Sequence, residues 1–216
     1  MGMKDMDDRH RTRIVNRHRD SLKRHGYDAR ALYWSSREIQ EIRFRELAGI
    51  GIEAGDSVLD VGCGFGDFLG WSAGRGGAIS YTGIDLSPDL LGMARKRHPE
   101  AVFHCGDPIE YCATHTDRFD WVILSGALNE QLGDEGAYAR RIIKLMWSRC
   151  RKGVAFNLLD GRHAPTRSCW DLQSHNPSEI RDFVAGLTPN HRLVEGYLDN
   201  DFTVYLLREP RSGIAE

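Results

Sequence analysis

Three glycines at alternate positions follow a short apolar run near residue 60. Val58, Leu59 and Val61 predict a buried strand, and the spacing Gly-x-Gly-x-Gly begins directly after it, at positions 62–66. Glycine has no Cβ, so a loop of this kind turns tightly and its backbone can lie against a ligand. Asp60 puts a carboxylate at the strand end, where a ligand amine or hydroxyl group can meet it. The segment therefore indicates a small-molecule site at a strand end.

Two further predicted strands also end in a carboxylate. Residues 79–85 end at Asp85 and residues 101–107 end at Asp107, while a fourth strand over 119–124 runs into Ser125. An acid at the end of the second strand can accept hydrogen bonds from both hydroxyls of a ribose, as it does in dinucleotide enzymes. The dinucleotide fingerprint, however, is Gly-x-Gly-x-x-Gly, which this chain does not have. An NAD-dependent oxidoreductase stays open here as an alternative, as does a non-catalytic binding or partner protein on the same scaffold.

The glycine loop and the four strand ends, in this order and spacing, resemble the class I S-adenosylmethionine-dependent methyltransferases over roughly residues 30–208. The resemblance implies that S-adenosylmethionine is the cofactor and S-adenosylhomocysteine the product. It also implies that N-terminal helices cover the cofactor as a lid, in which Tyr33 contacts it and Arg43 pairs with its methionine carboxylate. The other cofactor contacts that it implies are Asp60, Gly62, Cys63, Gly64, Gly66, Asp85, Leu86, Asp107, Pro108 and Ser125.

The candidates for a general base lie in two loops. His163 and His175 belong to an irregular segment after the fifth strand, where acceptor-binding insertions often occur in this family, and Trp170 between them can stack on a flat acceptor. Glu130, together with Asn129 before it, follows the fourth strand and faces the methyl position by analogy. Each of the three has a plain structural alternative, either a locally bonded surface histidine or a solvated acid at a helix start.

The acceptor is argued by exclusion. The chain has Ser-Gly-Ala-Leu at 125–128, where amino-type N-methyltransferases of the family carry Asp/Asn-Pro-Pro-Tyr/Phe, and it has no Pro-Cys dipeptide as in cytosine-C5 enzymes. Formal net charge is −2 at pH 7, so no overall field favours nucleic acid or an anionic membrane. We expect a cytoplasmic enzyme acting on a hydroxyl or amine of a small molecule. Five cysteines without Cys-x-x-Cys spacing, and nine histidines without His-x-x-x-His, give no support for a metal site.

Strand and helix patterns alternate between residues 57 and 159, which predicts an α/β fold with a parallel, Rossmann-like sheet and helices on both faces. Strands over 191–198 and 202–208, joined by a three-residue turn, predict a C-terminal antiparallel hairpin that completes a seven-stranded mixed sheet. The fifth strand is predicted over 154–159, after a helix that ends at 152–153.

N-terminal helices are predicted over 8–25 and from about 35 to 47. Residues 1–30 hold nine Lys or Arg against five Asp, which suits a lid, a homodimer element or a binding arm. We divide the chain into a helical extension (1–50), a methyltransferase domain (51–210) and a tail (211–216).

Overall fold

The computed structural model describes residues 6–210. Its sheet has seven strands in the order β3-β2-β1-β4-β5-β7-β6, and β7 alone runs antiparallel to the other six. The strands are β1 (Ser57–Val61), β2 (Ser80–Asp85), β3 (Val102–Cys105), β4 (Phe119–Ser125), β5 (Cys150–Leu159), β6 (His191–Val194) and β7 (Asp201–Leu207). This is the predicted Rossmann-like mixed sheet with a C-terminal hairpin, so the fold class is confirmed.

Helices cover both faces of the sheet. They are α1 (Asp8–His25), α2 (Arg37–Ala48), α3 (Asp67–Ala73), α4 (Pro88–Arg97), α5 (Pro108–Thr114), α6 (Ala137–Arg149), α7 (Ala164–Arg167) and α8 (Pro177–Ala185), with a 3₁₀ helix at Ala29–Leu32. Several begin at a polar residue whose side chain accepts a backbone N–H of the first turn, as Ser36 does for α2 and Ser87 for α4. These caps fix where the helices start relative to the strand ends.

The core lies in two layers because successive side chains of a buried strand point to opposite faces. In β4, Val122 and Leu124 pack with α5, α6 and α8, whereas Trp121 and Ile123 pack with α2, α3 and α4. These four side chains are at most 1% exposed. The sheet is therefore buried on both sides, and its carboxyl-end edge is left to form the site.

The fifth strand begins earlier than predicted. It starts at Cys150, and α6 ends at Arg149 rather than at 152–153. Gly153, taken from the sequence as a helix end, is a strand residue opposite Leu207, and a Cβ there would lie 2.5 Å from the carbonyl oxygen of Leu206. Close approach of two strands explains this glycine, and only the folded sheet reveals it.

The terminal hairpin has a longer connection than predicted. The strand β6 ends at Val194 instead of 198, because Gly196 adopts φ +83° and breaks the extended run. The strand β7 pairs with β5 on one side and with β6 on the other, and all seven of its residues are buried.

The N-terminal helices pack differently from each other. Phe44 and Leu47 of α2 lie in the core of the sheet, whereas α1 buries only Ile14 and Ser21. The division at residue 50 therefore stays a prediction, and the predicted tail, 211–216, lies outside the described residues. Within 6–210, no helix combines the length and the apolar character needed to cross a membrane.

Candidate active site

A cavity of about 400 Å³ lies at the carboxyl ends of β1, β2 and β4. Residues of α1, the 3₁₀ helix and α2 form its roof. This is the edge where ligands of open α/β sheets bind, at the point where the strand order reverses. Of the residues predicted from the sequence, those in its wall are Tyr33, Arg43, Asp60, Gly62, Cys63, Gly64, Asp85, Leu86, Pro108, Ser125 and Glu130.

The glycine loop has the backbone geometry that its composition predicts. Gly62, Gly64 and Gly66 have φ values of +75°, +54° and +70°, a region that side chains disfavour. At Gly62 a Cβ would also lie 2.2 Å from the Cβ of Ala127, so the loops after β1 and β4 touch there. Gly66 itself is the N-cap of α3 and packs against Phe103, outside the cavity wall.

Asp85 joins the glycine loop to the end of β2. One carboxylate oxygen accepts the Gly64 N–H at 2.9 Å and the other accepts the Ser87 N–H at 2.8 Å. Each oxygen keeps a second lone pair, so the carboxylate can still accept hydroxyl groups from the cavity. Burial raises the pKa of Asp85, while the backbone bonds act in the opposite direction.

Asp60 and Cys63 are buried in the wall near each other. Burial raises the pKa of Asp60 to about 7, against the bond that it accepts from the Tyr81 hydroxyl at 2.6 Å. Burial also raises the pKa of the Cys63 thiol well above its usual value, so Cys63 stays protonated. A protonated, buried thiol fills space rather than acting as a nucleophile.

Asp107 stands behind the cavity wall instead of in it. Its side chain caps α5 through the Ile109 N–H at 2.7 Å and accepts the Tyr138 hydroxyl at 3.0 Å. Arg11 of α1 lies 3.6 Å from the same carboxylate. The neighbouring residue Pro108 does line the cavity. Asp107 thus ties together α1, α5 and α6 beside the site.

Arg43 has a protein partner that the sequence does not reveal. Its Nε donates to Asp201 of β7 at 2.7 Å, both side chains are almost fully buried, and Tyr197 donates to the other oxygen of Asp201 at 2.7 Å. The guanidinium also lies 4.7 Å from the centre of the Trp34 ring. The Arg43 guanidinium in the roof is therefore held by the C-terminal hairpin.

Tyr33 occupies the roof in a strained conformation. Its φ is +63°, which is uncommon for a residue other than glycine. The hydroxyl donates to the Arg17 carbonyl at 2.9 Å, and the Arg17 guanidinium lies 4.6 Å from the ring centre. These contacts fasten the link between α1 and α2 over the cavity.

Glu130 is the one member of the three predicted base candidates that reaches the cavity. Arg17 donates to its Oε2 at 3.1 Å, and Arg13 approaches the same oxygen at 3.6 Å. Both contacts are made through Oε2. Glu130 thus links α1 to the loop after β4.

The two histidine candidates lie away from the cavity wall. His163 caps α7, and its Nδ1 contacts the Thr166 hydroxyl at 2.7 Å. His175 is buried against Gly136, and burial lowers its pKa to about 4. Trp170, predicted to stack on an acceptor, is 85% exposed at the surface. The structure does not bring these side chains together with the strand ends.

The sequence analysis missed His18, a polar residue of the wall. The Nδ1 of His18 and the Oδ1 of Asn129 are buried, and neither has a hydrogen-bond partner among the described residues. Ile14, Arg17 and His18 have the spacing i, i+3, i+4 of one helix face, which was the signal available for His18. Asn129, which the sequence places beside Glu130 after the fourth strand, also lines the cavity.

The charges of the wall suit some ligands and not others. Lysine is absent from the lining residues, and Arg17 and Arg43 are each paired with a carboxylate. Asp60 and Asp85 face the same space, which disfavours a pyrophosphate and suits a ligand with ammonium and hydroxyl groups. Between residues 6 and 210, no group of three or more His, Cys, Asp or Glu side chains could hold a metal ion.

Comparison with known proteins agrees with this geometry. A family model described as a methyltransferase domain matches residues 58–152. A Mycobacterium tuberculosis protein assigned as a methyltransferase, Rv1506c, is 29% identical over 132 residues, which are 58% of this chain and 76% of that protein. The magnesium protoporphyrin IX methyltransferase of Synechocystis, with bound S-adenosylhomocysteine, superposes with a TM-score of 0.65 at 16% identity, covering 92% of this chain and 98% of that one. These likenesses support a class I S-adenosylmethionine-dependent methyltransferase: the chain carries a methyltransferase domain on the sheet of that class.

The methyltransferase is also similar over a short stretch to an enzyme of known substrate. The dTDP-3-amino-3,6-dideoxy-α-D-glucopyranose N,N-dimethyltransferase of Streptomyces fradiae is 47% identical over 51 residues, which are 24% of this chain and 19% of that protein. S-adenosylmethionine is the methyl donor of the family. The antiparallel β7 between β5 and β6 separates the methyltransferase from dinucleotide-binding folds, whose sheet order is 3-2-1-4-5-6. The oxidoreductase alternative is therefore not supported.

Proposed function

We propose that this methyltransferase acts on a hydroxyl or amine of a small molecule enclosed in the cavity at the strand ends. The observation that carries the proposal is the roof. Residues of α1, the 3₁₀ helix and α2 cover the carboxyl-end edge of the sheet and leave about 400 Å³ beneath them. A reactive group on a folded macromolecule would have to reach under this roof, whereas a small acceptor fits inside it.

The loop residues are proposed to hold the cofactor. Asp60 meets its ammonium group, Asp85 accepts its ribose hydroxyls, and the backbone of Gly62 and Gly64 lies along its chain. Leu86 and Pro108 flank the adenine, and Ser125 lies beside the reacting end. The sulfonium of S-adenosylmethionine makes its methyl group electrophilic. The task left to the protein is to align a nucleophile, which can contribute on the order of 7 kcal/mol or more to catalysis.

The acceptor is proposed to lie between the loop after β4 and the apolar part of the wall. Ile39, Phe44, Leu159, Leu172 and Leu198 line that part of the cavity. Asn129 and Glu130 of that loop add polar groups to the same wall. This combination suits a largely apolar molecule that presents one hydroxyl or amine.

Glu130 is proposed as the group that receives the acceptor's proton. Arg13 and Arg17 hold its carboxylate in place through Oε2. A hydroxyl or a protonated amine must lose a proton as it is methylated, and a positioned carboxylate can take it. His163 and His175 are not part of this proposal, because they lie outside the cavity wall.

A labelling experiment tests the acceptor class. The purified protein is incubated with methyl-labelled S-adenosylmethionine and a bacterial extract, which is then separated into small molecules, protein and nucleic acid. We expect the label in the small-molecule fraction, and mass spectrometry of that fraction identifies the acceptor. Label that appears instead in protein or nucleic acid contradicts the enclosed-acceptor proposal.

A further inference from the structure

Two chain segments outside the seven-stranded sheet pair with each other in the cavity wall. The Gln131 N–H donates to the Asp171 carbonyl at 3.1 Å, and the Gln173 N–H donates to the Asn129 carbonyl at 2.8 Å. These bonds form a short antiparallel bridge between the connection that follows β4 and the connection that follows β5. The second connection therefore reaches the active site through its backbone, although its histidines lie elsewhere.

Glu130 and Leu172 lie directly opposite each other at the centre of this bridge. The two backbone hydrogen bonds flank them, so they form a non-hydrogen-bonded pair. In a pair of this kind the Cα atoms are only about 4.5 Å apart and the two side chains lie on the same face. Both residues line the cavity. The side chain of Leu172 therefore lies next to the proposed base.

The side chain of Leu172 is not engaged by the hydrophobic core. It is half-buried, and it belongs to none of the core clusters formed by residues 6–210. Leu132, two positions after Glu130, is also half-buried, but it packs against the core layer of α6 and lies outside the cavity wall. An aliphatic side chain that lines a ligand cavity without serving the core offers its surface to a ligand.

Helix α1 fixes the bridge from the roof. Arg17 donates to Glu130 at 3.1 Å and lies 3.7 Å from the Asp171 carboxylate, so one guanidinium spans both segments. Arg13 donates to the Gln131 carbonyl at 2.7 Å. Because α1 contacts both sides of the bridge, it holds the two segments in one register.

The connection after β5 is also anchored beyond the bridge. The His175 N–H donates to the Leu159 carbonyl at 2.9 Å, and the Gly161 N–H donates to the His175 carbonyl at 2.8 Å. Leu172 thus lies in a stretch of chain that is tied to the loop after β4 on one side and to the end of β5 on the other. Its place in the wall is set by the protein before any ligand binds.

We propose that Leu172 determines which acceptors are methylated, because its side chain packs against the part of the acceptor next to the reacting atom. This rests on the proposed function, in which Glu130 takes the acceptor's proton and the reacting atom therefore lies at the bridge. One methylene group gained or lost in an apolar pocket changes discrimination between substrates about 10- to 200-fold. The leucine thus favours acceptors that carry an apolar group of matching size at this point.

The pattern of products tests this role. Wild type, Leu172→Ala and Leu172→Phe are each incubated with methyl-labelled S-adenosylmethionine and the small-molecule fraction of one bacterial extract, and the labelled products are separated by chromatography. We expect Leu172→Phe to form the main wild-type product at least tenfold more slowly, because the larger ring fills the acceptor's space. We expect Leu172→Ala to shift the products at least tenfold toward bulkier acceptors.

Kinetics on the main acceptor, once it is purified from that fraction, give a second readout. Leu172→Ala is expected to raise KM for the acceptor at least threefold more than it lowers kcat, because Leu172 contacts the bound acceptor without taking part in proton transfer. A fall in kcat alone, with KM for the acceptor unchanged, would contradict a packing role.

Two controls separate selection of the acceptor from a structural role. The affinity for S-adenosylhomocysteine, measured by calorimetry, should stay within twofold of wild type in both Leu172 variants, since the proposed cofactor contacts lie at other strand ends. Leu132→Ala removes the same atoms outside the cavity wall and should keep the wild-type ratio of products. A uniform fall of all products in the Leu172 variants, with their ratios unchanged, would overturn the inference.

Failure of this inference is distinguishable from failure of the proposed function. Labelled small molecules in the same ratios and at the same rates in wild type, Leu172→Ala and Leu172→Phe overturn the role of Leu172 alone. A wild-type protein that binds S-adenosylhomocysteine but labels no small molecule overturns the proposed acceptor class, and this inference with it. If Leu172→Phe does not fold, the product ratios of Leu172→Ala decide.

Discussion

The six-membered ring of Trp34 lies directly against the backbone of Gly126, the first residue after β4. A Cβ built at Gly126 would stand 2.5 Å from Cη2 of the indole. Trp34 is thereby held over the point where the proposed donor and acceptor meet, and Arg43 stacks on its ring at 4.7 Å. The roof and the strand end fit together only because position 126 has no side chain.

Gly126→Ala should therefore displace Trp34 from the roof. We expect a loss of activity of at least tenfold, measured as kcat/KM for methyl transfer. The matched control is Gly133→Ala in the same connection, where φ is +69° against +72° at Gly126 but no atom lies within 4 Å of the added Cβ. Both variants carry a backbone strain of roughly 1–2 kcal/mol. Equal activity in the two would show that Trp34 has no part in the reaction.

Asp60 should make cofactor binding depend on pH. Its pKa is raised to about 7 in the unliganded protein, so much of it is protonated near neutrality. A ligand ammonium favours the carboxylate, so binding should release a proton, and affinity should rise as the pH is raised from about 6 to 8. Calorimetry in buffers of different ionisation enthalpy counts the proton, and Asp60→Asn should abolish its release. A release that persists in this variant would assign the proton to another group.

The same raised pKa affects stability in the opposite direction. In the unfolded chain Asp60 loses its proton near pH 3.8, which is a lower pH than in the folded protein. The contribution of Asp60 to the free energy of unfolding should therefore fall as the pH rises from 3.8 through about 7. The free energy of unfolding is measured by denaturation for wild type and Asp60→Asn across this pH range. The difference between the two proteins at each pH gives the contribution of Asp60.

Asp85→Ala should weaken S-adenosylhomocysteine binding more than any other single change in the wall. It leaves the ribose hydroxyls unpaired, at roughly 1–3 kcal/mol each, and it also removes the acceptor of the Gly64 and Ser87 N–H groups. The affinity measured by calorimetry and the free energy of unfolding should both fall. Asp117→Ala, an exposed acid elsewhere on the surface, is the control and should change neither.

Arg43→Ala separates a structural role from a binding role. The change leaves Asp201 buried without its cation, which should lower the free energy of unfolding by about 3–5 kcal/mol. Burial raises the pKa of Asp201, and Arg43 opposes that rise, so loss of the arginine should cost less at acid pH, where the carboxyl group takes up a proton.

Adding Asp201→Asn to Arg43→Ala should restore part of the stability. Cofactor affinity is then measured on the double variant. Affinity close to that of the wild type would rule out Arg43 as the partner of the methionine carboxylate, whereas a persistent loss supports its place in the lid.

Glu130→Gln should lower kcat by 100-fold or more while KM for the cofactor changes little, if Glu130 takes the proton. The glutamine keeps the shape of the side chain and an oxygen for Arg17. Raising the pH should partly restore activity, because the acceptor then loses its proton to solvent. His175→Gln is the control among the predicted bases and should retain kcat. A Glu130→Gln enzyme with unchanged kcat would exclude the proposed base.

The parts of the fold that were predicted correctly depend on local patterns. The loop over 62–66 needs positive φ at three positions, which only glycine adopts freely. The order of the strand ends follows from the order of the apolar segments along the sequence. The predicted limits of β5 and β6 were wrong because the sequence alone does not distinguish the roles of Gly153 and Gly196. The first is a place where strands approach closely, and the second is a break.

The contacts between side chains in the site could be predicted from the sequence only in part. Arg43 meets Asp201, 158 positions away, and no local pattern indicates such a pair. His163 and His175 were plausible as bases by type and by loop, but their distance from the cavity depends on how 160–175 folds back on the domain. His18 was overlooked because α1 was judged by its charge rather than by the face that it turns inward.

The strand β7 also has consequences for synthesis of the protein. It fills a slot between β5 and β6, so residues 201–207 must have left the ribosome before the sheet can close. Until then β5 presents an unpaired, apolar edge on which another nascent chain can add a strand. The acid that anchors the roof, Asp201, is the first residue of this late strand. Chains stalled before residue 201 would thus lack both the closing strand and the anchor of Arg43. We expect chaperones to bind such chains, and we expect no residual methyl transfer from them.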